Sequence, residues 1–182
     1  LPFLLIEGDY DSDNSATDAD LRRQAWQTVT SGGCGHFFGN SPIWGFGDPT
    51  GTGGAGAAAA LNAGLDTTAT REVRRVHELL RGYEWHLLEP RTDTSLVTSS
   101  LGSGSSRICP ALAKHGRFAL IWVPSSQSVT VQMSALTPSS VRARLYDPST
   151  GNFAMVSGSP FANSGTQSID TGGERVIVLD AA

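Results

Sequence analysis

The chain has 182 residues, 39% of them hydrophobic and 16% charged, with a formal net charge of −4. That length suits one large domain or two small ones, and Leu, Ile, Val and Phe are spread widely enough to build a core. No basic run occurs, which argues against a nucleic-acid partner, and no apolar run approaches the roughly 20 residues that span a membrane.

The charge is uneven: residues 1–90 carry 12 acidic and 6 basic side chains, residues 91–182 carry 5 and 7. Leu1 to Ile6 is a continuous apolar run, the pattern of a fully buried parallel strand. The chain opens in mid-strand without an initiator Met, so a processed product or a fragment of a longer polypeptide is expected. The acidic loop DYDSDNSATDAD follows. Thr17 stands three residues before Asp20 as an N-cap, and Leu21, Ala25, Trp26 and Val29 fall at helical spacing, so residues 18–31 are predicted as an amphipathic helix. The segment GCGHFFGNSPIWGFG, residues 33–47, then sets aromatic rings among five glycines. The glycines are expected to let a strand turn tightly, with Phe37 or Phe38 in the core. Residues 45–56 are a loop by composition. AAAALNAGL and TREVRRVHELLRG are predicted helices, the second with Val73, Val76, Leu79 and Leu80 on one face and Gly82 as its C-cap signal.

From residue 91 helical spacing disappears. TSLVTSS, RFALIWV, SVTVQM, SVRARLYD, NFAMVS and RVIVLD are short strand-like runs separated by Ser, Gly, Pro and Asn clusters. They predict an antiparallel β-sandwich, with a boundary near Glu89. The fold class is therefore α/β plus all-β, with domains at 1–88 and 91–182.

Several side chains could carry chemistry. Glu7 ends a strand before a glycine, the position where α/β-barrel enzymes place catalytic groups. Glycoside cleavage needs two carboxylates, one of them a nucleophile or base. Otherwise Glu7 is a solvated strand-end residue. Asp9, Asp11, Asp13 and Asp20 have some of the spacing of a calcium loop, but Asn14 occupies the turn position that requires Gly and Asp20 the one that requires Glu. A solvated acidic loop capping the helix is the expected reading, with no metal and no cofactor. His36 has no ligand-spaced His or Cys. Cys34 and Cys109 match no metal motif, cannot be paired from sequence, and are each expected to be small buried hydrophobes. Trp44 is either core or an exposed platform for a sugar ring, with His36 and Asn40 as polar neighbours.

PFLLIEGDYD…LRRQAWQTVTSGGCGHFFGNSPIWGFG resembles the late barrel of the apiosidase-like glycoside hydrolases: Glu7 after a strand, Tyr10, Arg22-Arg23, Trp26, Gly35-His36-Phe37-Phe38-Gly39-Asn40 and Trp44. RFALIWVPSSQSVTVQMSAL…VRARLYDPSTGNF…ERVIVLDA is similar to the β-sandwich that commonly follows it, labelled a collagen-binding domain. The resemblance implies the C-terminal portion of a secreted or cell-envelope (β/α)₈-barrel enzyme acting on polysaccharide side chains. It makes Glu7 the nucleophile of a retaining mechanism and places Tyr10, His36, Asn40 and Trp44 in the sugar cleft. The general acid would come from an earlier barrel strand, so the partners expected are carbohydrate and an N-terminal barrel segment. The rival reading is a non-catalytic structural or glycan-binding protein.

Overall fold

The structure, a computed structural model, describes residues 3–6, 8–12, 15–45 and 57–182. Its first half contains β1 (Phe3–Leu5), β2 (Tyr10–Asp11), α1 (Asp18–Thr30), β3 (Gly33–His36), β4 (Gly39–Asn40), α2 (Ser41–Trp44), α3 (Ala57–Gly64) and α4 (Thr68–Leu80). β1 pairs parallel with β3, and β2 with β4. A strand, a helix and a parallel strand in succession form the βαβ arrangement predicted for this region.

Local chemistry sets the helix ends. The Thr17 hydroxyl accepts from the Asp20 backbone N–H while the Asp20 carboxylate accepts from the Thr17 N–H, a reciprocal capping box that starts α1. At α4 the Thr67 hydroxyl accepts from the Thr70 N–H (3.1 Å), a simple N-cap without the reciprocal bond. The end of α4 departs from expectation: Arg81 in ordinary right-handed conformation is the C-cap, and Gly82 follows it without positive φ. β1 is parallel as expected but not buried. Phe3 and Leu4 are 44% and 47% exposed, because β3 is its only strand neighbour among the described residues.

The second half contains β5 (Leu88–Pro90), β6 (Cys109–Ala113), β7 (Ala119–Val123), β8 (Ser128–Gln132), β9 (Ser140–Tyr146), β10 (Phe153–Met155), β11 (Phe161–Ala162), β12 (Thr166–Asp170) and β13 (Arg175–Ala181). One antiparallel sheet has the order β10-β9-β13-β7-β6-β5, with β11 also on β9, and β8 and β12 form a separate pair. The segment expected to close the first half joins this sheet: Leu88 to Pro90 pair with Ala113 to Ala111, so β5 runs across the expected boundary at residue 89.

The large sheet is covered on both faces. Ile121, Ala143, Ile177 and Leu179 pack toward Val129, Val131 and Ile169 of the β8–β12 pair. The alternate residues Leu120, Trp122, Val176 and Val178 pack against Trp26 and Val29 of α1 and Val73, Val76 and Leu80 of α4. Burial on both faces explains the unbroken apolar runs of RFALIWV and RVIVLD, since alternation appears only where one face meets water. The YDPSTGNF turn is tied by Asp147, whose Oδ1 accepts from Ser149 N (2.9 Å), Ser149 Oγ (2.7 Å) and Thr150 N (3.2 Å).

Candidate functional site

The parallel β2–β4 pair sets Tyr10 opposite Gly39 and Asp11 opposite Asn40. Glycine at position 39 is a matter of space: a Cβ there would lie 2.1 Å from the Tyr10 ring. A Cβ at Gly33 would lie 2.7 Å from the Thr28 carbonyl oxygen. Neither glycine has positive φ, so close approach, not the tight turn expected from the sequence, explains both.

Asn40 is 4% exposed and its amide is committed internally. Its Oδ1 accepts from the Ile43 N–H (3.2 Å) and caps α2, while Nδ2 donates to Asp11 Oδ2 (3.1 Å) and to the Gly64 carbonyl (3.0 Å). The Thr67 hydroxyl donates to the same Asp11 oxygen. A buried polar knot therefore ties β2, β4, the end of α3 and the start of α4 together. In the sequence Asp11 stood out only for its calcium-loop spacing, and Thr67 not at all, although a Thr directly before a helical run is a recognisable cap signal.

Beside the knot lies an open groove of about 330 Å³ lined by Ile6, Tyr10, Phe37, Phe38, Trp44 and Leu65 among others. Trp44 is 75% exposed and Phe37 60%, so two ring faces are available to a ligand. Asn40 also lines this groove, and with its amide occupied it acts as support for the wall. Tyr10, Asn40 and Trp44 are thus brought together. Glu7, the expected nucleophile, lies outside the described residues. Directly after it, Gln24 holds the chain: its Oε1 accepts from the Asp9 N–H (3.1 Å) and its Nε2 donates to the Asp9 carboxylate, in space that a side chain at Gly8 would fill.

His36 does not join the groove. It lines a separate cavity of about 270 Å³ between α1, α4 and β3, with Ala25, Val29, Val73, Val76 and His77. His36 and Phe37 are consecutive in extended chain, so their side chains leave on opposite sides, and Phe37 takes the groove side. Among the described residues His36 Nδ1 is buried without a hydrogen-bond partner. Burial, and then the charge of His77, hold its pKa below the ordinary histidine value.

The carboxylates of the acidic loop diverge: Asp9 turns to Gln24, Asp11 to Asn40 and Thr67, Asp20 to Thr17 and Arg23. Asp13 lies outside the described residues. Among the described residues no three His, Cys, Asp or Glu side chains gather as a metal would need. Cys109 is buried, but Cys34 is exposed, contrary to expectation, and both thiols are free. Cys34 lies on β3, whose outer edge pairs with no strand among the described residues, and its Sγ donates to the Phe3 carbonyl (3.3 Å). Among the described residues no helix is long and apolar enough to cross a membrane.

The same architecture recurs in solved glycoside hydrolases. One described as "Glycoside hydrolase" superposes with a TM-score of 0.79 at 19% identity, over 97% of this chain and 42% of that one. A family 5 glycoside hydrolase from Bacteroides vulgatus ATCC 8482 gives 0.81 at 19% identity, over 99% and 41%. The chain thus spans about two fifths of the length of each. No curated protein matches the sequence. Residues 3–86 match the family model "Apiosidase-like, catalytic domain", and residues 92–180 match "Putative collagen-binding domain of a collagenase". The family resemblance carried by the sequence is therefore shown in both halves.

Proposed function

We propose that the chain is the closing part of a (β/α)₈-barrel glycoside hydrolase followed by an accessory β-sandwich. It would be secreted or held in the cell envelope and act on polysaccharide side chains. The observation that carries this reading is the groove at the carboxyl ends of the parallel strands. There two exposed rings, Trp44 and Phe37, stand over a wall fastened by Asn40, on the side of the strands where a (β/α)₈ barrel would place its catalytic groups. Ring faces of this kind pack against the apolar faces of sugars.

In this reading Glu7 attacks the anomeric carbon, while a carboxylic acid from an earlier strand protonates the leaving oxygen. A retaining reaction requires the two carboxyls about 5–5.5 Å apart. The acid is supplied by an N-terminal barrel segment outside these 182 residues. Its docking would cover the bare side of β1, where Phe3, Leu4 and Ile6 are 44%, 47% and 65% exposed. The domain division near residue 89 and the sandwich belong to the same proposal. The antiparallel sheet with the β8–β12 pair stacked on it supports the sandwich, with β5 on its side of the division.

The test is Glu7→Gln in a preparation that contains the barrel segment, assayed on aryl glycosides and polysaccharide, with Trp44→Ala beside it. Glu7→Gln is expected to abolish turnover with the melting curve unchanged. Trp44→Ala is expected to weaken glycan binding by roughly three- to tenfold, the worth of one ring contact. Wild-type turnover in Glu7→Gln would remove the nucleophile. If the wild-type preparation does not turn over glycosides but Trp44→Ala still loses binding, the non-catalytic glycan-binding reading replaces this one.

A further inference from the structure

A second concave site lies where α4 meets the antiparallel sheet. Arg142 and Arg144 alternate on β9 and so share a face, and Asp180 on β13 stands opposite Arg142 in register. Asp180 Oδ1 accepts from Arg142 Nε (2.9 Å). Its Oδ2 accepts from Arg144 Nη2 (2.6 Å) and from the Tyr83 hydroxyl (2.8 Å). Tyr83 also accepts from Arg144 Nη2 (2.8 Å). One carboxylate is thus shared by two guanidinium groups, which leaves one positive charge in excess. Glu78, the other acid on the rim, is paired with Arg74 (3.2 Å).

Arg142 is the exposed member of the cluster, whereas Arg144 Nε is buried without a partner among the described residues. Among the described residues neither amino group of Arg142 has a partner, nor has Nη1 of Arg144, and the Arg142 side chain is 41% exposed. Phe153 forms an aromatic wall, 45% exposed, with the Arg144 guanidinium 4.5 Å from its ring centre and Tyr146 tilted against it at 5.0 Å. The hollow is about 450 Å³, within the range of small-molecule sites. A planar guanidinium with free N–H groups favours bidentate anion binding. Asp180 leaves room for a single negative charge, which favours a carboxylate over a dianionic phosphate.

We propose that this hollow binds the carboxylate of an acidic saccharide of one or two rings, through Arg142 and the free edge of Arg144, with a sugar ring against Phe153. The carboxylate class stands on the two arginines. That the carboxylate belongs to a sugar rests on the glycan reading above. The site is separate from the Trp44 groove and uses none of its residues.

The test titrates D-glucuronate, its methyl ester and D-glucose into the 182-residue chain and follows NMR shifts of the arginine Nε–H and backbone amide signals. Arg142→Met, Arg142→Lys and Trp44→Ala are titrated alongside, and melting curves report whether each is folded. Glucuronate is expected to shift residues around Arg142 and Phe153 and to bind at least about tenfold more tightly than ester or glucose. Arg142→Met is expected to lose at least that factor, Arg142→Lys to fall between, and Trp44→Ala to bind as wild type. Binding should weaken as salt is raised, because an exposed guanidinium is screened. Equal binding of glucuronate and its ester, or equal binding by wild type and a folded Arg142 variant, would overturn the proposal. Loss of glucuronate binding in Trp44→Ala alone would place the ligand in the aromatic groove, overturning the second site while leaving the glycan reading intact.

Discussion

Arg22 joins three separated parts of the chain, and removing it gives the sharpest test of how the two halves are held. The side chain starts on α1. Nη1 donates to Glu72 of α4, while Nε (2.9 Å) and Nη2 donate to Glu174 in the turn before β13. Arg22 is 8% exposed and Glu72 4%. Burial opposes the charge on Arg22, but the two carboxylates more than offset it, so its pKa is raised. Arg22→Met keeps the aliphatic stem and strands Glu72 as a buried carboxylate without a counter-charge. Breaking one side of a buried pair costs about 3–5 kcal/mol. In a chain of this size that lowers Tm by roughly 6–20 °C. Arg22→Met/Glu72→Leu removes both charges and should recover most of the loss, because Glu174, with 21% of its side chain exposed, can be solvated by water. Urea and thermal melts of wild type, both single variants and the double variant close the cycle. A loss below about 1 kcal/mol in Arg22→Met would mean the pair behaves as a surface ion pair. A double variant as unstable as the sum of the singles would show that the two residues are not coupled.

The α1 capping box makes stability depend on acid. Thr17 hydrogen bonds first, and then Arg23, bring the Asp20 pKa from 3.8 down to about 2. A depressed carboxylate stabilises above its unfolded pKa and loses that contribution as pH falls through its folded one. Asp20→Asn should therefore flatten the part of the stability-against-pH curve between about pH 4 and about pH 2. Superimposable acid limbs in melts of the two proteins would count against the cap. At the groove, Asn40→Ala removes the cap of α2 and a donor to Asp11, an expected loss of about 1–3 kcal/mol. Asn40→Asp should be more destabilised at pH 7 than at pH 4, because it sets a second carboxylate against Asp11. Equal losses at both pH values would contradict that contact.

Elements with a strong local signal were legible in the sequence. Thr17 and Asp20 announce the start of α1, and Val73, Val76, Leu79 and Leu80 announce the buried face of α4. What the sequence could not reveal depends on partners distant along the chain. Asn40 carries the marks of a ligand-binding residue, yet its amide is consumed by Asp11, Gly64 and Ile43, two of which are more than twenty residues away. His36 is one position out of phase with Phe37, and strand alternation sends it to the helix side. Its neighbour in sequence could not show which phase faced the groove. The glycines of this segment looked like hinges. Only the position of the Tyr10 ring and the Thr28 carbonyl identifies two of them as clearance. Arg142, Arg144 and Asp180 went unremarked because β9 and β13 are brought together only by the sheet.

The division into halves, clear in composition, is not a division in packing. Trp26 of α1 and Trp122 of β7 lie with ring centroids 6.1 Å apart and planes 7° from parallel, both fully buried. Among the described residues both indole N–H groups are without partners, a cost of about 1–3 kcal/mol each. Against that cost stands a joint apolar layer, in which α1 and α4 cover one face of the antiparallel sheet from Cys109 to Val178. α1 lies in the chain between β2, which bears Tyr10, and β3, with β4 and Trp44 following. Its inner face is fixed to the sheet by Trp26, and its side is fixed to α4 and the β13 turn by Arg22. The groove walls therefore stand on a helix that the second half holds in register. On this packing, the antiparallel sheet functions as the foundation of the groove, and a change at Trp122 or Arg22 should be felt at Tyr10 and Trp44 through α1.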